Sequence, residues 1–505
     1  MGVRYSQPAG RWVLTATVLG SALAFVDATV VNVALPRIGA ELDADLAGLQ
    51  WTVNGYTLTL AAFILLGGSL GDRYGRRKVF LIGVWWFAGA SLLCGLAPNI
   101  QTLVLARALQ GIGGALLTPG SLAILQASFH PEDRARAIGA WSGLGGIAGA
   151  IGPLLGGWLV ELGSWRLVFL INLPLALFVV LIAVRHVPES ADPTAAHKAL
   201  DVPGAVLGAL GLAGLTYGLT EWPNRGGTDP LVLATLVVGV LGLVGFVIAE
   251  RRSTHPMLPL DVFRSRQFTA ANLVTFAVYG AIGVVFFLLV LALQVVAGFS
   301  PVAAGIALLP ITVLMLLLSA RAGALAQRIG PRIPMTVGPL VCAVGLLLMT
   351  RIGQGASYLA DVLPAVIVFG LGLSLTVAPL TATVLAAAED RHAGVASGVN
   401  NAVARVAGLL AVAALPLLTG LSGDQYADPG LLSSAFRMSM LISAGLLVAG
   451  GVLAFATIRS TVLNEPPPGE PVTAEPREQS PCRMHCAVGA PPLHPEPTAS
   501  GTASR

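Results

Sequence analysis

Fourteen runs of apolar residues, each near the roughly 20 that carry a helix across a bilayer, fill most of this 505-residue chain. Their soft bounds are 12–34, 51–70, 79–97, 102–125, 136–160, 165–184, 203–221, 230–249, 270–297, 303–322, 333–352, 359–387, 394–420 and 434–457. Only 11% of the residues are charged, against about a quarter in soluble domains, so the chain belongs in lipid. The expected fold is therefore an all-α polytopic membrane protein. The first run holds Asp27 and thirteen more follow it, so it reads as a retained span rather than a cleaved signal.

A repeat divides those spans into two sets. Gly68 to Arg77 read GSLGDRYGRR and Gly323 to Arg332 read GALAQRIGPR, sharing G-x-L-x-x-R-x-G-x-R at an offset of 255. Glu132-Asp133-Arg134 returns as Glu389-Asp390-Arg391 at 257, and Gly111-Ile-Gly113 is echoed by Gly370-Leu-Gly372 at 259. Duplicated halves of this kind mark secondary transporters, with the substrate held between them. The expected organisation is a short N-terminal segment (1–11) and a six-helix bundle (12–184), then an inserted two-helix hairpin (203–249). A second six-helix bundle (270–457) and a tail (464–505) follow. The hairpin is expected at the periphery, outside the pathway.

Loop charge sets the expected orientation. With the N-terminus inside, eighteen Lys/Arg fall in or beside cytoplasmic segments and five in outer ones, leaving aside the last 46 residues. Both termini are then cytoplasmic, and the net charge of +4 follows from this asymmetry rather than from nucleic-acid binding. Twenty-seven Arg against two Lys suggest a GC-rich bacterial genome, hence a bacterial plasma membrane. The tail is rich in Pro, Glu, Ser and Thr, a composition that cannot bury a core. Its Cys482, His485 and Cys486 are a weak metal motif, and no metal is expected.

Asp27 leads the candidates for chemistry. A carboxylate at membrane depth costs several kcal/mol unless it is paired, hydrated or protonated, and its usual explanation is function. By counting residues, Arg107 on the fourth span lies at nearly the same depth and is the expected partner. Separating the two, or admitting water, changes proton affinity between conformations. A static pair fixing two helices is the plainer alternative. Gly152, Pro153, Gly156 and Gly157 lie in GAIGPLLGG (149–157), where proline bends the axis and glycines allow close approach, as a seal would require. In the 68–78 loop, Gly68, Gly71 and Gly75 suit a tight turn, while Asp72, Arg73 and Arg76 suit a latch to the opposite half. Holding the loop inside would suffice to explain its bases. Asn400, Asn401 and Arg405 on the thirteenth span, Asn272 and Tyr279 on the ninth, and Asn54, Tyr56, Gln110 and Trp141 are candidates for lining a substrate cavity. Helix–helix hydrogen bonding is the equally weighted alternative for each.

These strings together resemble the major facilitator superfamily, in particular its fourteen-helix drug:proton antiporters. The matches are DATVVNVALP (Asp27 to Pro36), Trp51 with Tyr56, the 68–78 loop, RALQGIG (Arg107 to Gly113), Gly149 to Gly157, and WRLVFLINLP (Trp165 to Pro174). The resemblance implies two six-helix halves plus two inserted helices, rocking to export amphipathic compounds against protons. It implies Asp27 and Arg107 in proton coupling, Asp72 in a gate, no cofactor beyond the proton motive force, and no enzymatic activity. The expected partners are the lipid bilayer, protons and a small organic substrate, with the protein a monomer. No acid stands midway along the tenth or thirteenth span, where some multidrug relatives carry one, and the thirteenth has Arg405 instead. That departure turns the expectation away from lipophilic cations, toward a neutral, zwitterionic or anionic antibiotic-like substrate. Export of a physiological metabolite or biosynthetic product is the alternative.

Overall fold

The computed structural model describes residues 3–192, 200–254, 256–388 and 393–463. Hydrocarbon leaves the backbone no partner but itself, so nearly all of these residues are helical. The helices are α1 (Pro8–Leu42), α2 (Leu46–Tyr74), α3 (Arg76–Gly95), α4 (Ile100–Ser128), α5 (Pro131–Glu161), α6 (Leu167–Leu170), α7 (Asn172–His186), α8 (Val202–Arg225) and α9 (Pro230–Arg252). The second half adds α10 (Arg266–Val295), α11 (Pro301–Ala307), α12 (Leu309–Ile329), α13 (Arg332–Met349), α14 (Leu363–Ala386), α15 (Ala393–Thr419) and α16 (Pro429–Thr457). Taking α6 with α7 and α11 with α12 as single crossings, thirteen segments are long and apolar enough to span a membrane. Helix α5, 31 residues and charged only in its first two turns and at Glu161, is the fourteenth crossing. The repeated Glu389–Arg391 and the cysteine-bearing tail lie outside the described residues.

Local chemistry sets the ends. Asp45, Asn99, Asp201, Asp229, Ser265, Ser300 and Asp428 each accept a bond from a free N–H of the helix they precede. Eight helices carry proline at their first or second position, where the missing N–H costs nothing. The helices also outrun the apolar stretches that announced them. Helix α1 continues from residue 34 to Leu42, which places Asp27 about 22 Å from its end rather than about 10 Å.

Helices α1–α7 form one six-crossing bundle and α10–α16 another, with α8 and α9 paired between them. Where α1 begins and α16 ends is the terminal face; the opposite side is the far face. Among the described residues four hydrogen bonds join the two bundles directly, and all four lie toward the far face. Gln50 donates to the Val412 carbonyl (2.5 Å), Gln294 to that of Val33 (3.0 Å), the Val302 amide to Glu161 (3.1 Å) and Tyr426 to the Ala44 carbonyl (2.8 Å). The hairpin stands closer to this seam than a peripheral position implies. Helix α8 packs along both α2 and α15. In its last turn, Asn224 bonds Asp45 of the first bundle (3.2 Å) and the Gly423 amide of the second (3.2 Å).

The repeated loop is a structural repeat as well. Gly75 and Gly330, 255 residues apart, both take positive φ (+108° and +83°) and turn the chain between two antiparallel helices. A side chain on either would strike the segment leaving the same bundle, the Glu189 carboxylate over Gly75 and the Ser460 carbonyl over Gly330. Gly68 and Gly71 make no turn, because α2 runs unbroken to Tyr74.

Candidate functional site

Asp27 and Arg107 sit in the heart of the first bundle, each 1% exposed. Helix α1 supplies the acid near its midpoint, and α4 supplies the base about 10 Å from its start. Glycines bring the surrounding helices close enough for short side chains to meet. An added Cβ on Gly111 would strike the Tyr56 carbonyl of α2, and one on Gly113 would come within 2.7 Å of the Phe87 amide of α3.

One Arg107 terminal nitrogen donates to the Asp27 carboxylate (2.5 Å) and to the Gln110 carbonyl (2.5 Å), while Nε donates to the Thr52 carbonyl (2.9 Å). The Gln110 amide donates to Asp27 (2.8 Å) and to the Ser91 hydroxyl (2.8 Å). Asn172, which opens α7, donates to Asp27 (3.2 Å) and to Ser91 (3.3 Å). The carboxylate thus accepts from three side chains on two helices besides its own. Tyr56 lies flat beneath the guanidinium, 4.4 Å from ring centre to cation, and Phe169 lies 5.7 Å away. A buried ion pair with every oxygen satisfied is stable, and removing one partner strands the other.

Several expected cavity residues take other places. Gln110 is wholly buried and serves the carboxylate, and Tyr56, 2% exposed, supports the guanidinium. Asn54 is buried as well. Trp141 bonds Ser21 (3.0 Å), tying α5 to α1. Asn400 donates to Asn272 (3.3 Å) and Thr275 (2.8 Å), so these residues lock α15 to α10. Tyr279, Asn401 and Arg405 retain solvent access. Ser91 and Asn172 belong to the network although sequence reading singled out neither. Asn172 stood inside the WRLVFLINLP string, where a lone amide between apolar residues was the available signal.

The glycine string of α5 does two jobs. Gly156 would meet the backbone of Val30 at 2.9 Å if it bore a Cβ, and Gly152 would strike Thr29, so these two press α5 onto α1. Gly157 faces the other way, where an added carbon would fall 2.5 Å from the Pro301 carbonyl of α11. Gly305 reciprocates against the Pro153 carbonyl. The far-face seam is therefore closed by backbone against backbone. At the terminal face Asp72 pairs with Arg76 of its own segment (2.8 Å), and its carbonyl accepts from Asp192 (2.9 Å). Arg73 lies 5.3 Å from the centre of the Tyr74 ring. Among the described residues, no bond joins Asp72 to the opposite half.

A family model, the Major Facilitator Superfamily, matches residues 17–412. The tetracenomycin C resistance and export protein of Streptomyces glaucescens is 37% identical over 421 residues, covering 82% of this chain and 77% of that protein. The puromycin resistance protein pur8 of Streptomyces alboniger is 36% identical over 469 residues, covering 89% and 91%. Among solved structures, a D-xylose-proton symporter superposes with a TM-score of 0.63 at 14% identity, covering 89% of this chain and 98% of that one.

Proposed function

This chain belongs to the major facilitator superfamily, and on that premise we propose that it exports a small antibiotic-like organic molecule in exchange for protons. It is a multi-pass membrane transporter and not an enzyme. The resistance and export proteins it resembles support the cargo class. The buried Asp27 network carries the proton half of the reading: one ionisable acid is held at membrane depth by partners from separate helices, so a shift of those helices remakes its surroundings. The seam closed at the far face supports alternating access, the two bundles rocking about a site between them. The Lys/Arg bias makes the terminal face cytoplasmic, so this conformation presents the site toward the inside of a bacterial plasma membrane. Each inward proton then contributes about 2.3 kcal/mol per 100 mV of membrane potential.

The test uses the purified full chain in proteoliposomes, with puromycin and tetracenomycin C as first cargoes. An imposed pH difference is expected to drive cargo uphill, and Asp27→Asn to abolish that drive at least tenfold while leaving cargo exchange without a gradient. Cargo movement indifferent to the pH difference, or a fully active Asp27→Asn, overturns the reading.

A further inference from the structure

The space between the bundles carries a cation with no counter-charge. Arg405 is the thirteenth of 27 residues in α15, so it lies about 18 Å from one end and about 21 Å from the other, near the centre of the membrane. Its one side-chain bond is from Nε to Asn401, a turn away on the same helix (3.2 Å). Among the described residues, no carboxylate reaches ion-pairing distance of it. Tyr279 of α10 and Tyr56 of the opposite bundle, both uncharged phenols, are the ionisable groups near it. Gly398 and Val412, two turns to either side on the same face of α15, meet Leu65 and Gln50 of the opposite bundle, so Arg405, itself partly open to solvent, lines the gap between the bundles rather than a lipid surface.

Its backbone is fixed as a binding group requires. Asn400, the residue before Asn401, is bonded to Asn272 and Thr275, and an added carbon on Gly283 would fall 2.7 Å from the Cα of Gly408. A lone arginine at this depth is costly in lipid, and the neutral amide of Asn401 supplies no counter-charge. Arg107 is the contrast, since its charge is cancelled by Asp27 and its nitrogens are engaged. Arg321 and Arg437 stand only about 12 Å from the nearer ends of α12 and α16, and Arg321 bonds the Leu317 carbonyl. With the Asp27–Arg107 pair neutral as a unit, the field of the gap is that of Arg405.

We propose that Arg405 is the recognition site for the acidic group of an aromatic organic anion, with Tyr279 beside it as a stacking surface. This rests on the export reading and narrows its cargo. A guanidinium meets a carboxylate with two parallel N–H donors, a geometry that a neutral amide cannot match. Each cycle would carry an anion out as a proton comes in, so two charges would move along the membrane potential. Exchange carries the anion on Arg405 in the outward stroke and the proton on Asp27 in the return stroke, so the two travel in turn rather than together.

The experiment pairs 1-naphthoate with 1-naphthamide, which match in shape and differ in charge, on the purified full chain. Equilibrium dialysis is expected to show naphthoate bound roughly ten- to a hundredfold tighter, the range of a charge-assisted bond over a neutral one. Arg405→Gln is expected to erase that preference while keeping naphthamide binding, which also reports that the variant is folded; Arg405→Lys should keep part of it. Equal affinity in the unaltered protein, or a preference that survives Arg405→Gln, overturns the proposal. Naphthoate that binds through Arg405 but ignores an imposed pH gradient would sink proton exchange and spare the anion site. Gradient-driven movement of naphthamide with no naphthoate preference would do the reverse.

Discussion

The two bundles share a backbone plan and differ in what fills their centres. At the 259-residue offset that relates Gly111 to Gly370, Arg107 and Gln110 correspond to Val366 and Phe369; at the 255-residue offset of the loops, Ser91 corresponds to Leu346. The three apolar residues are fully buried, as their polar counterparts are. One half thus encloses an ion pair and its hydrogen-bond shell where the other encloses hydrocarbon. The half without the pair places its lone central charge, Arg405, on the open surface instead. Duplication preserved the hinges and helix approaches, while the charges diverged into an enclosed set and an accessible one. Proton handling and cargo recognition are accordingly assigned to different halves in the reading proposed here.

The sharpest way to break that contrast is to remove charge from one centre and volume from the other. Arg107→Met strands a buried carboxylate and is expected to cost about 3–5 kcal/mol, whereas Val366→Ala loses only packing, about 1–2 kcal/mol. Thermal unfolding in detergent measures both, and equal losses would erase the distinction. Adding Asp27→Asn to Arg107→Met should restore most of the stability without restoring proton-driven transport. The far-face seal predicts symmetry instead: Gly157→Ala and Gly305→Ala each push a carbon into the opposing backbone. Each is expected to slow export about tenfold, near 1.4 kcal/mol, and a harmless Gly305→Ala would make the seal one-sided. The loops come last, and stability rather than export is what they move. Gly75→Ala and Gly330→Ala force an L-residue into the left-handed region at about 1–2 kcal/mol each. Glu189→Ala should weaken only the first loop, because Glu189 accepts the Arg77 and Lys78 amides there (3.0 and 3.1 Å) and a backbone carbonyl lies over the second.

Much of this was legible in the residues. The repeated loop announced two hinges because a glycine at one fixed step in each was needed for positive φ. Asp27 and Arg107 were legible as a pair because charge is scarce in lipid and helical rise fixes depth. Their companions were not: Ser91 is one small hydroxyl in an apolar run, and nothing local says which way it faces. Helix ends were misplaced for a physical reason, since α1 keeps its hydrogen bonds after leaving the apolar zone, through Arg37 and Glu41, which pair with each other (3.2 Å). The glycine that lets α2 meet α4 is Gly67, whose added carbon would strike the Ala115 carbonyl, whereas Gly68 beside it has only ordinary contact. Periodicity alone does not choose between neighbours.

The placement of α8 along α2 and α15 has a consequence for how oily compounds arrive. A molecule already dissolved in the leaflet meets a wall at that flank, not a window. Any cargo loaded sideways would have to pass another flank than the one α8 covers.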